Sequence, residues 1–322
     1  MLSGGQTPPL QENDSNLYFP SETFISNNPY FNPHMETTST GMTDRIQRLR
    51  QQSFDAQPSL SIERALIETE FYKENEGKHP IPILRALNFL EICKRKTIYI
   101  GRDELIVGER GPRPKAVSTF PELTYHSVED LHVLNTRELQ RYTISQKDID
   151  TYAREVIPYW KGRTQRERIF NHVPTEWKEA YEAGMFTEFM EQRAPGHTSL
   201  DGKVYQYGML DLKERIAHEL ANLDFMNDPE ATDKQEELTA MSISCDAAIL
   251  FARRHAELAE KMVEEETNPK RKSELKKIAE VCHHVPAHAP PHLLGSHTDV
   301  LVCAPRHHYR TKRMGCHEPG AF

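Results

Sequence analysis

The chain has 322 residues, 37% of them apolar, and carries 40 basic against 48 acidic side chains, a net charge of −8 with its histidines neutral. That is enough apolar material for one large domain or two, and no basic face is evident to neutralise phosphates, which argues against nucleic acid as a main partner. The longest unbroken apolar run, Ala247 to Ala252, falls far short of the roughly 20 residues of a membrane span, and no signal-peptide pattern opens the chain, so no membrane partner and a cytoplasmic location are expected.

Residues 1–41 hold four acids and no Lys or Arg, with scattered aromatics and no period of 2 or 3.6, and read as a disordered leader. Helical periodicity follows over Ser61–Glu74, with Ile62, Leu66 and Phe71 on one side, and over Ile81–Arg95, with Leu84, Leu87, Leu90 and Ile92 prominent; the two are expected to pack together. Thr97–Ile100 and Glu104–Val107 read as short strands of a hairpin around Gly101-Arg102-Asp103, before an extended loop from Gly111. Ser127 and Ser145 each precede an acid by three residues, the pattern of a capped helix start. Further helices are expected over Asp148–Trp160, Glu176–Arg193, Leu210–Leu223 and Lys234–Glu264, the last lined by Leu238, Met241, Ile243, Ala247, Leu250 and Phe251. The five cysteines, Cys93, Cys245, Cys282, Cys303 and Cys316, contain no CxxC spacing and fit reduced thiols, with Cys93 and Cys245 in apolar helical settings.

Between Gly184 and Thr198, helix formers run to Arg193 with Met185, Phe186, Phe189 and Met190 grouped on one face. Pro195 and Gly196 then force a turn that places His197 beyond that apolar face. On the pattern alone His197 suits either a helix C-terminus, where the dipole favours a cation, or a titratable group in a site. Phe189, taken alone, suits core packing better than a binding wall.

This segment, with Glu104-Leu105-Ile106-Val107-Gly108-Glu109 and Leu223-Asp224-Phe225-Met226-Asn227-Asp228, resembles the N-terminal part of the glycyl radical enzymes, the pyruvate formate-lyase-like superfamily. The likeness spans residues 42–289, which suggests that translation starts at Met42. It implies a mainly α fragment of an α/β protein, the N-terminal helices of a fold with a ten-stranded barrel. It implies a dehydratase of trans-4-hydroxy-L-proline giving 1-pyrroline-5-carboxylate, a homodimer when intact, whose glycyl radical is installed by an activating enzyme that uses S-adenosylmethionine and a [4Fe–4S] cluster. By the same resemblance His197 contacts the substrate hydroxyl and donates a proton, and Phe189 packs on the pyrrolidine ring. Neither the cysteine loop nor the glycine loop of the family occurs in the sequence, so no cofactor is expected to be held and the chain alone is expected to be inactive. Other expectations are a fragment of a diol dehydratase or a formate C-acetyltransferase, or a non-catalytic zinc-binding or interaction protein.

The zinc reading comes from residues 281–322, which hold eight of the 16 histidines, among them His283, His284 and His288, and three of the five cysteines, though in no finger spacing. No metal ligand is assigned there. A reading of residues 292–322 one nucleotide out of frame restores a family-like helix, so residues 290–322 are expected to be a frameshifted, disordered tail.

Overall fold

The computed structural model describes residues 43–185, 203 and 205–290. By internal contacts the chain divides into two units, Met1–Gln47 and Arg48–Phe322. Of the first, residues 43–47 are described, as the opening of helix α1 (Asp44–Asp55). In the second unit the described elements run β1 (Ser59–Ser61), α2 (Glu63–Asn75), α3 (Ile81–Arg95), β2 (Ala116–Ser118), α4 (Val128–Thr136), α5 (Gln146–Glu155), α6 (Ile157–Trp160), α7 (Gln165–His172), α8 (Thr175–Glu182), α9 (Met209–Ala221), α10 (Ala231–Glu265) and α11 (Pro269–His284). This is the mainly helical piece with few strands that the sequence implies.

Helix α10 is the spine. Its 35 residues extend about 52 Å at 1.5 Å per residue, and α3, α9 and α11 pack along it. Three helices can share one partner because the shared face is small: Ala240, Ala247, Ala248, Ala252, Ala256 and Ala259 are all buried. Of the larger residues expected to line it, Phe251 is buried among Cys93, Ala247 and Ala252, whereas Met241 stays 48% exposed. The expectation weighted apolar bulk, and the packing rewards close approach. Cys93, Cys245 and Cys282 are all buried as small apolar residues.

A second core joins β1, α2, α4, α5 and α6 through Leu60, Ile62, Ala65, Leu131, Leu134, Ile149, Tyr152, Val156 and Trp160. The Trp160 indole N–H donates to Thr69 Oγ1 at 2.8 Å, which satisfies the polar end of an otherwise enclosed ring. Strand β1 pairs in parallel with β2, Ser59 opposite Ala116, and Thr143 bridges its other edge.

Local signals hold where the chemistry is local. Ser127 caps α4 reciprocally, its hydroxyl accepting from Asp130 N while Asp130 accepts from Ser127 N, both at 3.0 Å. Ser145 accepts from Asp148 N in the same way at 3.1 Å. Changing Ser127 to alanine is expected to cost about 1 kcal/mol, read as a lower urea midpoint at an unchanged slope.

Three expected elements need correction. The hairpin over residues 97–107 does not form. Its backbone carbonyls at Gly101 and Glu104 are taken by Arg271 of α11, at 2.9 and 2.8 Å, and the Glu104 carboxylate accepts from Gly101 N at 2.8 Å. The helix expected over Asp148–Trp160 breaks at Val156 into α5 and α6, since Pro158 has no N–H to continue the ladder. The helix expected over Glu176–Arg193 stops at Glu182, where Gly184 takes a left-handed φ of 71° and ends it.

Candidate functional site

The stretch expected to form the binding wall lies between α8 and α9, and Phe189 and His197 lie outside the described residues. What the structure shows is how that stretch is held at each end. On the approach, α7 and α8 bury no residue fully and cohere through their own aromatics. Phe170 meets Trp177 and Tyr181 edge-on at 5.5 and 5.4 Å, and Trp177 stacks on Tyr181. Met185, the last described residue before the gap, is 77% exposed.

The far end is fixed to the spine. Helix α9 starts at Gly208, and its orphan amides at Met209 and Leu210 donate to Pro286 O and Ala287 O, at 2.7 and 3.0 Å, just beyond α11. Gly208 N donates to Asp211 Oδ2 at 2.8 Å. Met209 and Ile216 then bury against Cys245 and Ala248 of α10. Helix α9 is thus tied at its first turn to the segment after α11 and along its length to α10.

Perturbed titratable groups mark sites and structural networks alike, and the described residues contain two such clusters. In the first, Arg64 of α2 donates to Glu68 Oε2 at 2.7 Å and to both Glu122 oxygens at 2.7 and 3.0 Å, and lies over the Phe120 ring at 4.4 Å. Asn88 of α3 donates to Glu68 Oε1 at 2.9 Å. Burial, with the Glu122 charge adding to it, pushes the Glu68 carboxyl well above the usual range against the pull of Arg64. Burial acts on Glu122 too, but the Arg64 guanidinium and its hydrogen bonds hold that carboxyl below the usual range. One cation thus faces one carboxylate and one carboxylic acid.

In the second cluster, burial lowers Lys96 to about 8 and His255 to about 4. Lys96 Nζ donates to Arg110 O at 2.6 Å and sits 5.2 Å from the Phe251 ring centre. His255 Nδ1 meets Phe251 O at 2.9 Å, while its buried Nε2 has no hydrogen-bond partner among the described residues. The positive charges of Lys96 and Arg254 add to the bias toward a neutral imidazole. The neutral form therefore contributes stability at pH above the ordinary histidine value of about 6.5, lost as pH falls through the window down to 4. His255→Gln is expected to flatten that window in urea titrations at successive pH values, and an unchanged acid limb would contradict the assignment. Both clusters bond to groups of the surrounding fold rather than opening into a cleft, and they serve the fold. Sequence periodicity missed them, because a basic and an acidic residue four apart look the same whether solvated or buried.

The strings that carried the resemblance also have local work. Val107 is buried against α10 and α11, and Asp224 folds its own turn, accepting from Met226 N, Asn227 N and Asn227 Nδ2 at 3.0, 3.1 and 2.7 Å. That turn leaves Phe225 and Met226 facing outward, 54% and 91% exposed.

A family model described as pyruvate formate lyase-like matches residues 41–293. The chain belongs to that family. It is 47% identical over 250 residues to trans-4-hydroxy-L-proline dehydratase of Clostridioides difficile, covering 78% of this chain and 32% of the relative. It is 32% identical over 252 residues to isethionate sulfite-lyase of Desulfovibrio desulfuricans, covering 75% and 30%. Among solved structures, the Clostridioides difficile hydroxyproline dehydratase with trans-4-hydroxy-L-proline bound superposes with a TM-score of 0.76 at 45% identity, covering 81% of this chain and 33% of that one. The glycerol-bound, B12-independent glycerol dehydratase of Clostridium butyricum also reaches a TM-score of 0.76, at 28% identity, covering 84% and 34%. The chain spans about a third of the length of the relatives it matches.

Proposed function

We propose that this chain is the N-terminal part, residues 42–289, of a glycyl radical dehydratase acting on trans-4-hydroxy-L-proline. The observation that carries the reading is the gap in identity: 47% to the hydroxyproline dehydratase against 32% to the sulfite-lyase, over stretches of equal length. A framework shared by both would give similar figures.

Within that reading Phe189 packs on the pyrrolidine ring and His197 meets the 4-hydroxyl. Hydroxide leaves more easily when a proton arrives with it, and an imidazole with an ordinary value of about 6.5 holds a transferable proton near neutral pH. The apolar face around Phe189 excludes water and strengthens that hydrogen bond. The glycyl radical, which an activating enzyme using S-adenosylmethionine would install on the part of the family fold outside this chain, would generate the cysteine thiyl radical needed for hydrogen abstraction. The intact protein pairs as a homodimer in the cytoplasm.

A chimera joining residues 43–290 to the remaining two thirds of the Clostridioides difficile relative tests the reading. After anaerobic activation it is expected to dehydrate trans-4-hydroxy-L-proline, with His197→Ala lowering kcat by about 100-fold or more and Phe189→Ala acting mainly on KM. A chimera that carries the radical but turns over only a diol or isethionate would overturn the substrate assignment.

A further inference from the structure

Just beyond α11 the chain turns back on itself through an extended Val285 and the cis Val285–Pro286 peptide, with His288 N donating to His284 O at 2.9 Å. That turn brings the two imidazoles face to face, ring centres 5.1 Å apart and planes 29° from parallel. Both side chains are exposed. His284 Nε2 lies 3.1 Å from Ala289 O, a contact that only a protonated Nε2 makes, so the lone pair sits on Nδ1. A second ring nitrogen tied to a carbonyl is how metal-binding histidines are oriented and kept in one tautomer. His283, the neighbour, points elsewhere and pairs with Glu260 Oε1 at 2.8 Å.

We propose that His284 and His288 form a two-histidine site for a divalent transition metal ion such as zinc, nickel or copper. Ligand nitrogens about 2.0–2.1 Å from a tetrahedral ion lie about 3.3 Å from each other, so metal binding requires the exposed His288 ring to turn toward His284 Nδ1. Among the described residues no group of three or more His, Cys, Asp or Glu converges, so water or an external ligand completes the shell. Cys282 does not compete, since it is buried in the core against α10. The site straddles Pro286 and Ala287, the carbonyls that receive the first two amides of α9. A bound ion therefore clamps the turn on which α9 is anchored.

The test uses the full chain, stripped with chelator, with ZnCl2 or NiCl2 as probe. Saturating metal is expected to raise the Tm by several degrees, because an ion that binds only the folded state stabilises it by mass action. His284→Ala and His288→Ala should each abolish the shift, and His283→Ala should keep it. Hydrogen exchange at the Met209 and Leu210 amides should slow with metal in the wild type alone. Residues 291–322 carry further histidines, so the decisive reading is the difference between variants. No shift in the wild type, or an equal shift in His284→Ala and His288→Ala, overturns the site. Should His288→Ala lose stability without metal, His288→Gln replaces it with the same two outcomes.

Discussion

Replacing Arg64 with alanine is expected to lower the unfolding free energy by about 3–5 kcal/mol at pH 7, the cost of leaving buried acidic groups without their cation. Arg64 is 6% exposed and is the cation between Glu68 and Glu122, linking α2 to the segment after β2. The pH dependence separates the two acids. Glu68 has its folded value raised, so its contribution is complete below the ordinary carboxyl range and is lost as pH rises through the raised value. Glu122 has its folded value lowered, so its contribution is present above the ordinary range and is lost as pH falls through the lowered value. Glu68→Gln should therefore gain stability relative to the wild type as pH rises above the ordinary carboxyl range. Glu122→Gln should lose stability at pH 7 and converge on the wild type in acid. In urea titrations, an Arg64→Met, Glu68→Gln, Glu122→Gln triple variant should recover more than half of the Arg64→Ala loss, since no ionised group is then left buried. If Glu68→Gln is the more damaging single change at pH 8, the assignment of the proton to Glu68 is wrong.

That cluster also shows where the sequence stops being legible. Helices α2, α3, α9 and α10 follow from 3.6-residue periodicity, and their boundaries fall within a few residues of expectation. Strands β1 and β2 do not, because each is three residues long and its partner is distant in sequence. The hairpin over residues 97–107 had the local pattern of two strands, and a guanidinium from α11, far along the chain, took the carbonyls such a ladder would use. Arg64 and Glu68 carried the signature of a solvated pair, and only the packing of α3 and Phe120 against them makes them interior. In each of these three the deciding partner is remote in sequence, whereas the helix ends at Val156 and Glu182 turn on the local Pro158 and Gly184. The candidate site was legible differently, through ordered strings around Glu104, Phe189, His197 and Asp224. Of those strings, the described parts at Glu104 and Asp224 prove to organise loops, which leaves Phe189 and His197 as the residues on which the substrate proposal rests.

The frame around that proposal can be broken at one atom. Gly208 has an ordinary φ of −86°, so alanine can adopt its backbone without strain. Space is what forbids it: an added Cβ would stand 2.3 Å from Ala287 O, 2.4 Å from His288 Cα and 2.6 Å from His288 C, all backbone atoms. Gly208→Ala must push the 286–288 turn away and weaken the bonds from Met209 and Leu210, an expected loss of about 3 kcal/mol from overpacking together with two hydrogen bonds. Gly184→Ala is the matched control, since among the described residues its Cβ meets nothing within 4 Å and its cost there comes from the left-handed φ of 71°, about 1 kcal/mol. Hydrogen exchange distinguishes the two: the Met209 and Leu210 amides should lose protection in Gly208→Ala and keep it in Gly184→Ala, with the alanine seam of α10 protected in both. In the chimera, Gly208→Ala should raise KM for trans-4-hydroxy-L-proline, because the stretch bearing Phe189 and His197 loses its firm anchor. Wild-type exchange and KM in Gly208→Ala would mean that the α9 anchor does not position the binding wall, and the wall would then have to be held from the α8 side.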